Sequence, residues 1–482
     1  MNPETKTEFK KSLTLFDSTA IVIGSMIGSG VFIVGSDMAR TLGSPGWLMI
    51  AWLITGVLTI FAALSYGELA AMMPKAGGQY VYLREAYNPL SGFLYGWTLF
   101  LVIQTGTIAA VAMAFAKFTS VLVPWFSEQN VLFDAGIIKI NTTQLFAVFS
   151  IFFLTWINTR GIRLGKLVQN SFTITKTIVL IGFILIGLFI ARNQEAIKIN
   201  SSIFWDAAQT TEGVTTSLAG FALIAAIGTA MVGSLFSSDA WNNITFTAGE
   251  VINPKRNIPL SLFLGTSIVT VLFILANLVY IQVLPLRGNP EGISVFEKGI
   301  QFATNDRLGT ATIVSFLGEG AAIIMAIFIM ISTFGCNNGL ILSGARVYYA
   351  MAQDNLFFKK AGSLNRNGVP AMGLIFQGVW AGLLCLSGTY SELLDYVIFA
   401  VLIFYVLTIA GIFVLRKKRP DADRPYKAFG YPVIPALYII VATLIMLDLL
   451  YYKPNYTWPG LVIVLMGVPV FFIWKRINRQ TL

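Results

Sequence analysis

The chain has 482 residues, of which 56% are hydrophobic and only 12% charged, with a mean hydropathy of +0.74. No soluble globular class has that balance; it marks a polytopic, all-α integral membrane protein. The net charge of +10 does not imply nucleic acid, because the basic residues sit in short loops between apolar spans, where they set topology and meet membrane lipid. Histidine is absent, which removes imidazole proton relays and the commonest metal ligand. Cys336 and Cys385 both lie in apolar segments, so neither a disulfide framework nor a metal site is expected, and no cofactor.

The polar start, MNPETKTEFKKSLTLFD, has no cleavage site after a short apolar core, so residues 1–14 read as a cytosolic tail and not a signal peptide. Apolar runs long enough to cross a bilayer then follow at 15–42, 47–73, 91–123, 143–159, 167–191, 215–249, 258–285, 309–342, 370–388, 392–416, 432–451 and 457–474, about twelve spans. With the N-terminus inside, 23 lysines and arginines fall on inner segments and seven on outer loops. That bias places both termini in the cytoplasm, in the inner membrane of the cell.

The first span carries Ile21–Ile33, IVIGSMIGSGVFI, interrupted by Gly24, Gly28 and Gly30. Each glycine costs a helix ~1 kcal/mol against alanine. In lipid a broken backbone persists only where it lines a cavity or is buried in protein. A break near 26–30 would offer N–H groups to a carboxylate and carbonyls to an ammonium, the two ends of a zwitterion. The plainer reading is small-residue helix packing, since Gly24 and Gly28 fit that spacing. The segment Pro74–Pro89 alternates aromatic and polar residues and reads as an interfacial helix on the inner face.

Lys176 sits within span 5, where a flexible ammonium has reach to the free carbonyls of the span 1 break; snorkelling is the plainer alternative. Span 6 carries GSLFSSDAWNNITF, interrupted near 236–240 by Ser237, Ser238 and Asp239. Asp239 is expected to cap the second half-helix, with a place beside the substrate as the other option. Two interrupted helices five spans apart suggest two inverted five-span halves, 15–191 and 192–416, followed by 417–482 with the last two spans. Glu319 and Asp448 are further ionisable residues within the predicted spans, and Lys117 is expected to snorkel. Asn337 and Asn338 in span 8 are candidates for interhelical hydrogen bonds. Phe399, Phe404 and Tyr405 in span 10 are candidates to line a pocket, although packing is the commoner role at such spacings. No P-loop, paired His, GxSxG or dinucleotide fingerprint occurs, so no enzyme is expected.

GSMIGSGVF (Gly24–Phe32), YGELAAMMPKAGGQYVYLREAY (Tyr66–Tyr87) and FSSDAWNNITFTAGEVINPKRNIPLSL (Phe236–Leu262) resemble, in this order, motifs of the amino acid–polyamine–organocation (APC) superfamily. FGCNNGLILSGARVYYAMAQD and RPDADRPYKAFGYPVIPAL are similar to its L-type (LAT) branch. The resemblance implies a LeuT-type fold: a 5+5 inverted repeat plus two extra helices, with substrate at mid-membrane. It implies that Gly28, Ser29 and Gly30 hold the substrate carboxylate. Carbonyls at Met26, Ile27 and Phe236, together with Asp239, would hold the ammonium. Phe236 would be an occluding aromatic, with Ser237 and Ser238 beside it, and Lys176 would stand in for sodium.

Two departures from the family pattern stand out. Ser238 replaces a large tyrosine, and Ala240 replaces a glycine. The loop Pro124–Thr142 lacks the cysteine that joins animal LAT transporters to a glycoprotein. A stand-alone, bacterial-type protein without a disulfide-linked heavy subunit is therefore expected. The function so implied is sodium-independent exchange of neutral L-amino acids by alternating access. Side-chain preference would come from Ser238, Gln104–Thr107 and Phe399. Proton-coupled symport is the alternative, and from a different class, a non-transporting amino acid sensor.

Overall fold

A computed structural model describes residues 9–134, 139–211, 213–387 and 390–479. The first eight residues of the expected tail, with Lys6, lie outside it. Among the described residues eleven helices are long and apolar enough to cross a membrane. A twelfth, Ala371–Cys385, is shorter at 15 residues. Counted in order, the spans are Leu15–Leu42 (interrupted), Pro45–Met72, Pro89–Leu122, Thr142–Thr159, Ile162–Phe189, Gly220–Phe246 (interrupted), Pro254–Val283, Ala321–Gln353, Ala371–Cys385, Tyr390–Lys418, Val433–Tyr452 and Pro454–Arg479. The face carrying the excess of lysine and arginine is called the basic face below.

The packing maps onto itself when each span is exchanged for the one five positions later. Span 2 packs on 7, 3 on 8, and 4 on 9. Span 1 packs on 7 as span 6 packs on 2, and on 5 as span 6 packs on 10. Span 5 meets 7 and 8 as span 10 meets 2 and 3. Spans 11 and 12 lie outside this exchange, against spans 2, 3, 6 and 10. Spans 11 and 12 are only 28% buried over their apolar windows, against 83% for spans 1 and 3, so the interrupted span 1 and the π-turned span 3 form the centre.

Both interruptions are real breaks. Span 1 is helical over Leu15–Met26, then Ile27 turns extended (φ −77°, ψ 93°). A single 3₁₀ turn, Gly30–Phe32, follows, and the helix resumes at Val34–Leu42. Span 6 is helical over Gly220–Ser237 and again, for one turn, over Asn243–Phe246. Between them Ala240 takes φ +64°, the left-handed region that costs an L-residue with a side chain roughly 1–2 kcal/mol. The departure from glycine noted in the sequence thus falls where glycine is the unstrained choice. In span 3 a π turn, Leu99–Ile103, joins Pro89–Thr98 to Gln104–Leu122 and turns Gln104 toward the centre.

Several expectations are corrected. The helix Gln79–Ala86 is not interfacial: Tyr80, Tyr82 and Leu83 are at most 1% exposed, so it is tucked into the protein. Span 8 runs on to Gln353, which puts Arg346 inside a helix and not in a basic loop. Glu319 is exposed in the turn between Leu308–Leu317 and Ala321, outside any span. Asp448 lies in span 11, half-buried, and accepts from Thr229 Oγ1 at 3.3 Å. Lys117 is half-buried, and its backbone oxygen accepts from Arg307 at 3.0 Å. Two short hairpins, Val131–Asp134 with Lys139–Asn141 and Ala208–Thr211 with Val214–Ser217, were not foreseen.

The basic face is closed by ion pairs. Glu68, 1% exposed, takes Arg416 at 2.6 and 2.9 Å, Arg424 at 3.3 Å and the Ala428 N–H at 2.7 Å, which fastens the linker after span 10 to span 2. Arg84 bridges Asp354 and Glu85, and Arg419 reaches Glu85 at 2.6 Å. Burial opposes the charge on Glu85, yet the two guanidiniums hold its carboxyl below the usual range. Arg346 and Glu250 form a buried pair at 3.0 Å, and the Glu250 carbonyl accepts the N–H groups of Ser12 and Leu13. Glu250→Gln is expected to cost about 3–5 kcal/mol, because it leaves a buried guanidinium without its counter-charge. Thermal unfolding reads that loss, and Arg346→Met on the same background is expected to recover most of it. Ala240→Gly is expected to raise the unfolding midpoint by relieving about 1 kcal/mol of backbone strain. An unchanged or lowered midpoint would count against strain at that position.

Candidate functional site

The two breaks touch. A Cβ on Gly30 would fall 2.2 Å from Ser237 Oγ, so only glycine allows this approach. Gly28 faces Cys336 of span 8, and Gly24 faces Gln169 and Thr173 of span 5. The glycines therefore divide between two jobs. Gly24 serves helix packing, while Gly28 and Gly30 shape the break.

The carbonyls released by the break in span 1 are met by side chains from spans 5 and 8. Lys176 Nζ donates to Gly24 O at 2.6 Å, to Ile27 O at 2.5 Å and to Ser332 O at 3.3 Å, and the side chain is 0% exposed. Burial at this depth rules out snorkelling for this lysine. Ser332 Oγ donates to Ile27 O at 3.2 Å and to Gly28 O at 2.9 Å, and Cys336 Sγ to Ser25 O at 3.0 Å. Met26 O accepts the Gly28 N–H at 3.0 Å. A carbonyl carries two lone pairs, so Met26 O can take a second donor, and Phe236 O accepts from Asp239 N at 3.2 Å. On the far side of the break, the N–H groups of Gly30 and Val31 head the 3₁₀ turn, as the first N–H groups of any helix do.

Asp239 does not cap the second half-helix. That turn begins after Asn242 with no side-chain cap. The left-handed Ala240 swings the chain, and Asp239 Oδ1 instead accepts from Tyr405 Oη of span 10 at 2.6 Å. Asp239, Val401 and Tyr405 form the wall between two narrow cavities. Gln79, Tyr95, Gln104, Thr107, Asn242 and Asn243 are among the residues that line the first; Thr59, Leu235, Ser238, Trp241 and Tyr438 are among those lining the second. They hold about 10 and 20 Å³, room for a water each and not for an amino acid. The breaks are thus closed in this conformation, with Ser29, Ser237, Ser238, Asp239 and Phe236 all at or below 8% exposure.

The structure brings Gly30 of span 1 against Ser237 of span 6, and it places Ser238 and Asp239 in the cavity walls. It also draws in Gln104, Thr107 and Tyr405. Phe404 packs edge-on to Tyr95 at 5.3 Å, and Phe399 is buried outside both cavities. Asn338 bonds Asn158, Gly165 O and Gln169 at 2.9–3.0 Å, so this asparagine ties span 8 to spans 4 and 5. Residues not foreseen are Gln79, which bridges Asn242 at 2.9 Å and Thr408 at 3.0 Å under the first cavity, together with Ser332 and Cys336. The paired glycines before Gln79 were the available signal, since Gly77 (φ +102°) and Gly78 (φ +42°) turn this helix inward. Among the described residues no group of three or more His, Cys, Asp or Glu is placed to hold a metal ion.

Comparison with known proteins agrees with this architecture. The amino acid permease family matches residues 13–473. The b(0,+)-type amino acid transporter 1 of Mus musculus is 28% identical over 467 residues, covering 97% of this chain and 88% of the relative. The large neutral amino acids transporter small subunit 2 of Oryctolagus cuniculus is 29% identical over 469 residues, covering 96% of this chain and 80% of the relative. The human b(0,+)-type transporter 1 is 28% identical over 478 residues. The matches are to transporters and not to enzymes, and the helical architecture is that of a LeuT-type permease of about twelve spans. The chain belongs to the amino acid permease family of the APC superfamily.

Proposed function

We propose that this amino acid transporter exchanges neutral L-amino acids across the cell membrane without sodium, by alternating access at the breaks of spans 1 and 6. The observation that carries the reading is Lys176, whose ammonium sits on the Gly24 and Ile27 carbonyls. A fixed positive charge there leaves no need for a sodium ion to satisfy that backbone. The substrate carboxylate is taken by the N–H groups and hydroxyl around Gly28, Ser29 and Gly30. The ammonium is taken at the carbonyls of Met26 and Phe236, with Ser237, Ser238 and Asp239 beside them, while the Ile27 carbonyl next to them is held by Lys176 and Ser332. Because the groups holding the zwitterion are mostly backbone, recognition requires a free α-amino and α-carboxyl together.

The two halves, 15–191 and 192–416, interleave in this reading, and binding at the breaks favours closure of one bundle on the scaffold, with 417–482 outside the repeat. The exchange pattern in the packing supports that division. Both termini lie on the cytoplasmic side, in keeping with the excess of basic residues there. Both cysteines are buried, which supports a chain that works without a disulfide-linked subunit. A second reading, for substrates with a basic side chain, is favoured by the Asp239 carboxylate in the wall of both cavities.

Uptake of labelled amino acids into proteoliposomes tests the proposal. Uptake that requires internal amino acid and ignores sodium and pH gradients is the expected result. Uptake into empty vesicles driven by a pH gradient would replace exchange with proton symport, and binding without flux would make the protein a sensor. Ser29→Trp is expected to abolish binding, since the closed site has no room for an indole; unchanged affinity would move the site elsewhere. Lys176→Ala removes charge-assisted hydrogen bonds of about 1.5–3 kcal/mol each, so transport is expected to fall roughly tenfold or more in a protein that still folds. Wild-type flux in that variant would remove Lys176 from the mechanism.

A further inference from the structure

A groove of about 650 Å³ lies at the basic face, far from the breaks, between the ends of spans 2 and 7 and the linker after span 10. Its floor is apolar: Leu64, Leu260 and Phe263, with Phe429 opposite. Its rim carries Lys255, Arg256 and Lys427. The wall is held in place. Tyr426 packs where a Cβ on Gly67 would stand, 2.8 Å from the ring, and Glu68 anchors the linker on either side through Arg416 and Ala428.

Two features define the occupant. Phe263 and Phe429 are 42% and 65% exposed, which marks the floor as open to lipid and not filled by protein. The rim is cationic and underused. Lys255 is shared with the exposed Asp423 at 2.9 Å, while the Arg256 and Lys427 side chains have no hydrogen-bond or ion-pair partner among the described residues. Glu68, which holds the linker, is buried under its two arginines. From Lys255 to Phe263 the helix descends about 12 Å at ~1.5 Å per residue. A ligand that meets both ends therefore has a negative head and an apolar body. A free anion would leave the floor bare.

We propose that this groove binds an anionic phospholipid of the leaflet on the basic face, its phosphate between Arg256, Lys427 and Lys255 and an acyl chain along Leu260 and Phe263. Basic pockets between spans on such a face hold anionic headgroups, while zwitterionic lipid gains little from them.

Native mass spectrometry of the purified, delipidated protein titrated with phosphatidylglycerol or phosphatidylcholine tests the proposal. Retention of phosphatidylglycerol over phosphatidylcholine is expected. Each basic residue near the surface contributes about fivefold, so Lys427→Gln should weaken phosphatidylglycerol roughly fivefold and the triple glutamine variant on the order of a hundredfold. Leu260→Trp, which fills the floor and leaves the charges alone, should also weaken it. The Lys427 side chain is exposed and has no partner among the described residues, so that variant tests the rim even if the triple variant fails to fold. Equal retention of the two lipids, undiminished phosphatidylglycerol binding in Lys427→Gln and Leu260→Trp, or displacement by inorganic phosphate alone would each overturn the proposal.

Discussion

A helix broken within a membrane leaves carbonyls that hydrocarbon cannot satisfy, and the rest of this structure is arranged around meeting that need. Lys176 meets it from span 5, Ser332 and Cys336 from span 8. Each partner must come close: Gly28 faces Cys336, and Gly24 admits Gln169 and Thr173 of span 5. Burying an ammonium is itself costly, and three carbonyls around one Nζ offset that cost only if their positions are held. Spans 1, 5 and 8 are therefore one rigid unit at this level, and the polar tie from Asn338 to Gln169 and Asn158 extends it to span 4. The break in span 6 is met differently. It is a backbone turn through left-handed Ala240, with Tyr405 donating to Asp239 and Asn242 donating to Gln79. One break is met by a buried charge, the other by a strained turn and neutral donors.

Much of this was legible in the residues. Gly28, Ser29 and Gly30 announce a break because two glycines around a serine weaken a helix within an otherwise apolar run. Lys176 stands out because an ammonium in mid-span needs acceptors, and the broken helix is where acceptors are free. What was not legible depends on tertiary placement. Asp239 looks like a cap by its distance from Asn243, but a single positive φ at Ala240 turns its carboxylate toward span 10. The helix at Gln79 looks interfacial because alternating aromatic and polar residues suit an interface. Here those polar residues, Gln79 first, find partners inside the protein instead. The expected end of the eighth span at 342 falls where polarity rises, and a polar helix end whose Arg346 finds a buried partner defeats that rule.

The two faces are built unequally. On the basic face the path below the breaks is filled by the Gln79 helix and fastened by three groups of ion pairs, around Glu68, Glu85 and Glu250. On the opposite face Arg40 with Asp306 at 2.7 Å and Arg287 with Asp206 at 3.1 Å join short loops and hairpins. Most of these pairs are partly exposed and individually weak, but Glu68 and the Glu250–Arg346 pair are buried, where loss of one partner is severe. Opening toward the basic face thus has to separate or carry along whole buried pairs.

The Glu68 anchor also bears on how the chain is made. Glu68 lies near the end of span 2, and its partner Arg416 comes 348 positions later, in the last turn of span 10. Chains emerge from the ribosome N-terminus first, so eight more spans are synthesised before that carboxylate meets its arginine. Until then the first half holds an uncompensated acid at its edge, and that half is complete in chain but not in charge. The ion pair therefore acts as a late check on assembly: the linker, and spans 11 and 12 beyond it, dock only on a bundle whose second span already stands in place.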